Sequence, residues 1–291
     1  MRSLIDIGRS FAAHPLTRDH VLSAWSRFLT WQVKCRLDGD IEIPWIEDCR
    51  LVVRRGMTGA TGNLYFGLHE FMSMGLALHF LRKGDLFVDA GANVGSYSVL
   101  ASRVCGARSI AIEADADTGR DLQRNVEVNG LQELVRVHLV ALGPSEGTAL
   151  FTTGRGAANM VVDAPGDDVR SVRQKTLDSL LGDEQPAMIK LDVEDYEEQV
   201  LSGARAMMTT PSLKVIALEG TTPGILKLFG DCGFERAYYD PFTRVLQRSP
   251  NELAFTNGKW TQSNEFFVRD WEFVANRVAT ARSVMVLGRS V

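Results

Sequence analysis

The stretch "LFVDAGANVGSYSVLA", Leu86 to Ala101, joins a short apolar run to a helical one through Gly91, Asn93 and Gly95. Leu86 to Ala90 reads as a buried strand. Beyond the turn, Tyr97, Leu100, Ala101 and Val104 recur at i, i+3, i+4 and i+7, which is one face of a helix. Glycines between a strand and a helix bring some group close to the backbone, and the residue types say which groups fit. The dinucleotide pattern G-x-G-x-x-G needs its second glycine for contact with a pyrophosphate, and "GANVGS" has Asn93 there. No G-K-[ST] follows, so the phosphate-loop pattern fails as well. Asp89 stands just ahead of the turn, where a carboxylate repels phosphate and welcomes a cation. An adenosine compound with positive charge and no phosphate satisfies both conditions. S-adenosylmethionine, with its sulfonium and α-ammonium, is such a compound.

Outward from this turn the chain alternates strand-like and helix-like segments. Residues 108–114, 135–142, 187–193 and 213–220 read as further strands, with helices between them and a tail that pairs "ERAYYD" with "NEFFVRD". Such alternation predicts an α/β fold, a mostly parallel sheet with helices on both faces. Ligands of these sheets sit beyond the carboxyl ends of the strands. Asp89, Glu113, Ala141, Asp192 and Glu219 all fall at or just after expected strand ends, so five strands deliver candidates to one rim. Glu113, closing the second strand, is placed to accept from ribose hydroxyls.

Residues 1–80 mix helical and strand-like pieces and read as an N-terminal cap. Residues 81–270 form the main domain and 271–291 a C-terminal tail. Residues 143–175 read as a Gly-rich loop inserted between the third and fourth strands, of a length that loops reach mainly for functional reasons. With 45% hydrophobic and 23% charged residues, the 291-residue chain has the makings of a sizeable core. Its net charge of −4 argues against a nucleic-acid partner, which calls for a clustered basic face. Cys35, Cys49, Cys105 and Cys232 show no metal-binding spacing and read as reduced thiols. The longest apolar patch, Phe71 to Leu81, falls short of the ~20 residues of a transmembrane helix. The start of the chain carries Asp6, His14 and Asp19 where a signal peptide needs an unbroken apolar run. The expectation is a cytoplasmic protein.

The segments "FVDAGANVGSYSVLAS", "AIEAD", "NVEVNGL", "VALGPSEGTALF", "TLDSLL" and "MIKLDVEDYEEQVLSGA" resemble, in order and spacing, the FkbM-type S-adenosylmethionine-dependent methyltransferases. The likeness covers about Glu70 to Gly220. It implies a Rossmann-like methyltransferase fold with seven strands and a reversed final one, and O-methylation of sugar or macrolide hydroxyls. It also implies that Asp89, Gly91, Asn93, Gly95 and Ser96 line the methionine end. Glu113, with Ala114 beside it, would hold the ribose, Ala141 would lie near the adenine, and Glu70 would close over the cofactor.

An alcohol is a poor nucleophile near neutral pH, so a base must take its proton or a metal must acidify it. "KLDVEDYEEQ" is the best source: Asp192 and Glu194 are the candidate catalytic pair. Asp195 stands where the family pattern has the glycine of D-V-E-G. The segment also resembles the D-x-D-x-Y of metal-dependent sugar O-methyltransferases, and a divalent metal on Asp192 and Glu219 is left open. Glu197 and Glu198 read as first-turn acids that favour the helix dipole. Lys190 is assigned to the opposite rim or face and left outside the site. His69, His79 and His138 read as structural, and Tyr238, Tyr239 and Trp260 as core. The expected partner is a hydroxyl-bearing acceptor, a sugar of a glycan or glycoconjugate. A polyketide or other natural-product hydroxyl is the alternative acceptor, and a non-catalytic nucleoside-binding module or an NAD-dependent enzyme the alternative class.

Overall fold

In the computed structural model, which describes every residue except 1–2, 38, 155, 251–254, 257–258 and 261–263, the chain opens with helices α1 (Leu4–Ala13) and α2 (Val21–Leu37). Strands β1 (Ile41–Pro44) and β2 (Arg50–Val53) pair as a hairpin, and α3 (Thr58–Phe66) and α4 (Phe71–Phe80) follow. Asn125 and Asn129 tie the hairpin down, accepting from the backbone N–H groups of Val52 and Arg50 at 2.7 and 2.8 Å. Helix α4 is the apolar patch of the sequence, and all ten of its residues are buried, as expected of a helix hydrophobic all round.

The main unit starts at β3 (Leu86–Ala90), followed by α5 (Ser96–Val99), which continues as a π-helix over Leu100–Val104. Then come β4 (Arg108–Glu113), α6 (Ala116–Val128) and β5 (Val135–Leu139). Helix α6 begins at Asp115, whose side chain accepts from the N–H groups of Asp117 and Thr118, and its end is followed by Gly130 at φ +64°. Strands β6 (Ala141–Leu142), β7 (Gly147–Thr152), β8 (Val161–Val162) and β9 (Val169–Lys175) come next. The chain continues through α7 (Leu177–Leu181), β10 (Met188–Leu191), α8 (Glu197–Ser202), α9 (Arg205–Thr209), β11 (Val215–Leu218) and α10 (Pro223–Asp231). It closes with β12 (Glu235–Asp240), β13 (Val245–Gln247), β14 (Phe255–Thr256), β15 (Lys259–Trp260), β16 (Glu265–Val268), α11 (Trp271–Ala279), β17 (Met285–Val286) and β18 (Arg289–Ser290).

The large sheet has the order β13-β12-β16-β11-β10-β3-β4-β5. The pairs from β11 to β5 are parallel, while β16 runs antiparallel between β11 and β12. The expected Rossmann-like sheet with its reversed strand is present, and β13 adds an eighth strand to the seven expected. Among the described residues that strand pairs with Tyr238–Asp240 alone, through a three-residue segment too short to be read from periodicity.

Alternation along the strands sorts side chains to two cores. Phe87, Ala111, Met188 and Val215 face the core that holds α4 and α11, whereas Val88, Ile110, Ile189 and Ile216 face α7 to α10. Two expectations change. Residues 135–142 are not one strand: β5 ends in the large sheet, and β6 turns away to pair with β9. Residues 143–175 are not a loop, because β7 and β9 pair antiparallel from Gly147↔Gln174 to Thr152↔Val169 within a four-stranded sheet β6-β9-β7-β8. Neither "GTALFT" nor "VRSVRQK" alternates apolar with polar residues, and the glycines between them resemble those of a loop, so the local pattern does not reveal this pairing.

Candidate functional site

The glycine turn has its own structural reasons. Gly91 sits at φ +79°, and a Cβ there would stand 1.7 Å from the carbonyl oxygen of Asp192. Gly95, at φ +82°, would drive a Cβ to 2.3 Å from Leu122 Cδ1 of α6. The groups that approach this backbone are thus a neighbouring strand end and a neighbouring helix. Asn93 takes the left-handed conformation at φ +51°, and its Oδ1 accepts from the N–H of Val94 at 2.7 Å, the local hydrogen bond that makes Asn tolerant of this region.

Around the turn lies a cavity of about 530 Å³. Of the residues expected in the site, Glu70, Gly91, Asn93, Ser96, Glu113, Ala114, Ala141, Asp192, Glu194 and Glu219 line it. Gly95 and Asp89 do not. Asp89 is buried beneath the turn, and its Oδ2 accepts from Ser98 Oγ at 2.7 Å. Its Oδ1 has no hydrogen-bond partner among the described residues, nor has Ser96 Oγ on the cavity wall. Burial pushes the Asp89 carboxyl upward against the nearby Lys190 charge.

Glu113 organises the adjoining rim. Its Oε2 accepts from the N–H of Asn93 at 2.9 Å and its Oε1 from that of Asp115 at 2.8 Å. Burial nevertheless pushes its carboxyl up to about 7. Each oxygen keeps a lone pair for a further donor.

On the opposite wall, one oxygen from each of Asp192, Glu194 and Glu219 converges within 4.8 Å of the others. Lys190 belongs with them. Its Nζ lies 2.6 Å from Asp192 Oδ2 and 4.8 Å from the Tyr97 ring centroid, with the side chain only 3% exposed. Its placement on an opposite face was an error of alternation: a period of two puts Lys190 and Asp192 on the same side, and Lys190 is also the register partner of Asp89. Burial opposes the Lys190 charge, but Asp192, Glu70 and Asp89 outweigh it and hold the ammonium above its usual range. Burial likewise opposes ionisation of Asp192, and the Lys190 charge prevails and holds this carboxyl below the carboxylate range. The excess negative charge falls on Glu219, which burial and the charges of Asp192 and Glu194 push up to about 7. Glu194 is raised too, by burial and by Asp192 and Asp195.

The departure from D-V-E-G has a visible consequence. Glu194 and Asp195 take φ +51° and +64°, so a non-glycine residue occupies the left-handed position, a strain of roughly 1–2 kcal/mol. Glu197 accepts from the N–H of Val193 at 3.1 Å and Glu198 from Thr222 Oγ1 at 2.7 Å, both structural contacts. Glu70 Oε2 accepts from buried Tyr97 Oη at 2.8 Å and from Asn264 Nδ2, which also donates to Ser73 Oγ at 3.0 Å. Tyr97 and Lys190 line the cavity beyond the expected residues, and Asn264 supports it through Glu70; of these only Lys190 carries a sequence signal, its spacing from Asp192. His69 lines the cavity, His138 lies on the edge strand β5, and buried His79 contacts Tyr239 Oη at 2.6 Å. Tyr239 is fully buried and Tyr238 half-buried against the core, while the side chain of Trp260 lies outside the described residues.

A Rossmann-like sheet with this reversed strand and this rim defines a methyltransferase fold. The Methyltransferase FkbM domain profile matches residues 89–235, and the chain belongs to the FkbM methyltransferase family. S-adenosylmethionine is the cofactor that membership of a methyltransferase family implies. Among solved structures, the methyltransferase FkbM of Methylobacillus flagellatus is 17% identical, with a TM-score of 0.44 over 86% of this chain and 60% of that one. A methyltransferase of Thiobacillus denitrificans in complex with S-adenosylhomocysteine is 15% identical, with a TM-score of 0.35 over 57% and 63% of the two chains. A ribosomal protein L11 methyltransferase of Syntrophomonas wolfei is 31% identical over 61 residues, 21% of this chain and 20% of that protein. The aligned part of this chain therefore spans less than two thirds of each of these relatives.

The cavity suits that cofactor. Five carboxylates (Glu70, Glu113, Asp192, Glu194 and Glu219) and one ammonium line it, a balance that favours a cation and disfavours phosphate. The unpartnered Ser96 hydroxyl is left with hydrogen-bonding capacity for a ligand. The acidic trio also has the oxygen donors of a hard divalent cation, but Lys190 already neutralises Asp192. No helix among the described residues is long and apolar enough to cross a membrane.

Proposed function

We propose that the protein is an S-adenosylmethionine-dependent O-methyltransferase acting on a hydroxyl of a sugar, within a glycan or glycoconjugate. The observation that carries this reading is the Lys190–Asp192–Glu219 group on the same cavity as the glycine turn and Glu113. When bound, S-adenosylmethionine supplies a sulfonium methyl that is already a strong electrophile, so the chain's own task is alignment and removal of a proton. Glu113 would hold the ribose hydroxyls. Asn93, Ser96 and Ala114 would frame the nucleoside and methionine parts, with Asp89 stabilising their charge from beneath and Glu70 held against the cavity by Tyr97.

Asp192, kept ionised by Lys190, would orient the acceptor hydroxyl. A Glu219 oxygen lies within 4.8 Å of one from Asp192, and burial and the Asp192 charge push the Glu219 carboxyl up to about 7, where a general base is effective near neutral pH. The two carboxylates act as one coupled base, with Glu194 adding negative charge beside them. Their several acceptor oxygens suit a polyol, whose neighbouring hydroxyls would be held while one is deprotonated. A panel of glycans and polyketide alcohols incubated with the cofactor and examined by mass spectrometry tests the reading. A methyl added to a sugar by the wild type and not by Asp192→Ala supports it. Methylation confined to polyketide alcohols, or turnover untouched by the substitution, overturns it.

A further inference from the structure

Helix α2 is apolar on two sides. Ala24, Phe28, Trp31 and Cys35, at i, i+4, i+7 and i+11, form its buried face. Leu22, Leu29, Val33 and Leu37, at i, i+7, i+11 and i+15, form a second stripe that the 3.6-residue period sets opposite the first. These four side chains are 57 to 85% exposed. Helix α1 packs on α2 through Phe11 and Trp25, with ring centroids 5.4 Å apart, and adds Leu4 and Ile5, also mostly exposed. Scattered apolar residues are ordinary on a surface, but an aligned stripe along a seventeen-residue helix marks a docking face.

The charges indicate what docks there. In a chain of net charge −4, α2 carries Arg27, Lys34 and Arg36 and no acidic residue. Arg27 turns inward to donate to the carbonyl of Tyr65, whereas Lys34 and Arg36 are exposed on either side of the apolar stripe. Acidic neighbours are already engaged, Asp19 with Arg289 and Asp40 with Arg124. The stripe itself is purely aliphatic, without the Trp, Tyr or Arg anchors that concentrate energy at protein interfaces. Leucine and valine between flanking cations match acyl chains below anionic headgroups.

We infer that the outer face of α2 docks this protein on an anionic lipid surface, with Leu22, Leu29, Val33 and Leu37 entering the headgroup boundary and Lys34 and Arg36 at the phosphates. This role is independent of the methyl-transfer reading and uses no residue of the cavity. The test is co-sedimentation of the full chain with phosphatidylcholine vesicles, with and without phosphatidylglycerol. The expected result is sedimentation with the anionic vesicles, weakened by salt and lost in L29E/V33E, whose exposed positions leave the melting temperature and cofactor binding unchanged. K34E/R36E should lower partition onto anionic vesicles at least ~10-fold. Wild type that stays in solution with both vesicle types overturns the inference, as does binding that survives L29E/V33E. Self-association abolished by L29E/V33E without vesicle binding overturns it in favour of a second copy of the chain.

Discussion

Lys190 and Asp192 set the charge of the rim. The ammonium fixes the charge of Asp192, and the remaining repulsion is carried by Glu219, whose carboxyl is displaced to about 7. Asp192→Asn should therefore reduce kcat by about 10²–10⁴, the usual worth of positioned proton transfer, with cofactor affinity little changed. A matching loss of cofactor binding would instead place Asp192 in the nucleoside site. The active form of the base is the deprotonated one, so turnover should fall as pH drops through about 7, the value held by Glu219. Glu219→Gln should lower kcat and remove that limb; a limb unchanged in the variant would assign it elsewhere. Because Lys190 already supplies the positive charge that a metal would bring to Asp192, turnover should survive a chelator. Activity lost with the chelator and restored by magnesium would show that the cation displaces Lys190 from its role. The carboxylates were legible in the sequence as strand-end acids. The charge that orders their protonation is not, because Lys190 lies inside the apolar strand β10, where a lone cation gives no sign of its partners.

At the scale of elements, the glycine turn locks β3 to its neighbours. Gly91 admits the Asp192 carbonyl and Gly95 admits Leu122, so the turn couples the end of β10 and helix α6 to the base of the cavity. Gly91→Ala combines an overpacked contact with a left-handed alanine and should cost at least ~3 kcal/mol of stability, read by denaturant unfolding. A variant as stable as the wild type would mean that the turn and the strand end are free to separate. This strand-turn-helix unit was readable because its residues leave few alternatives. The sheet of β6 to β9 was not, since β7 and β9 lack a regular apolar–polar alternation and the glycines between them resemble those of a loop. Asp195 was visible as a departure from the family pattern, while its cost, a strained turn beside Asp192, required the backbone angles.

For the whole molecule, alternation of strands and helices sufficed for the fold class, because β3, β4, β10 and β11 are buried almost throughout and read as predominantly apolar runs. The eighth strand and the contact of α4 with the sheet depended on long-range packing that local pattern does not record. The central claim at this scale is that the strand ends build one pocket for a cationic, phosphate-free adenosine compound, with Glu113 on its ribose. Calorimetric titration above pH 7, where Glu113 is ionised, tests it most directly. S-adenosylmethionine should bind at one site per chain, NAD should give no saturable heat, and Glu113→Gln should weaken the cofactor by about 1.5–3 kcal/mol, the worth of a charged hydrogen bond. Saturable binding of NAD, or cofactor affinity indifferent to Glu113→Gln, would contradict it.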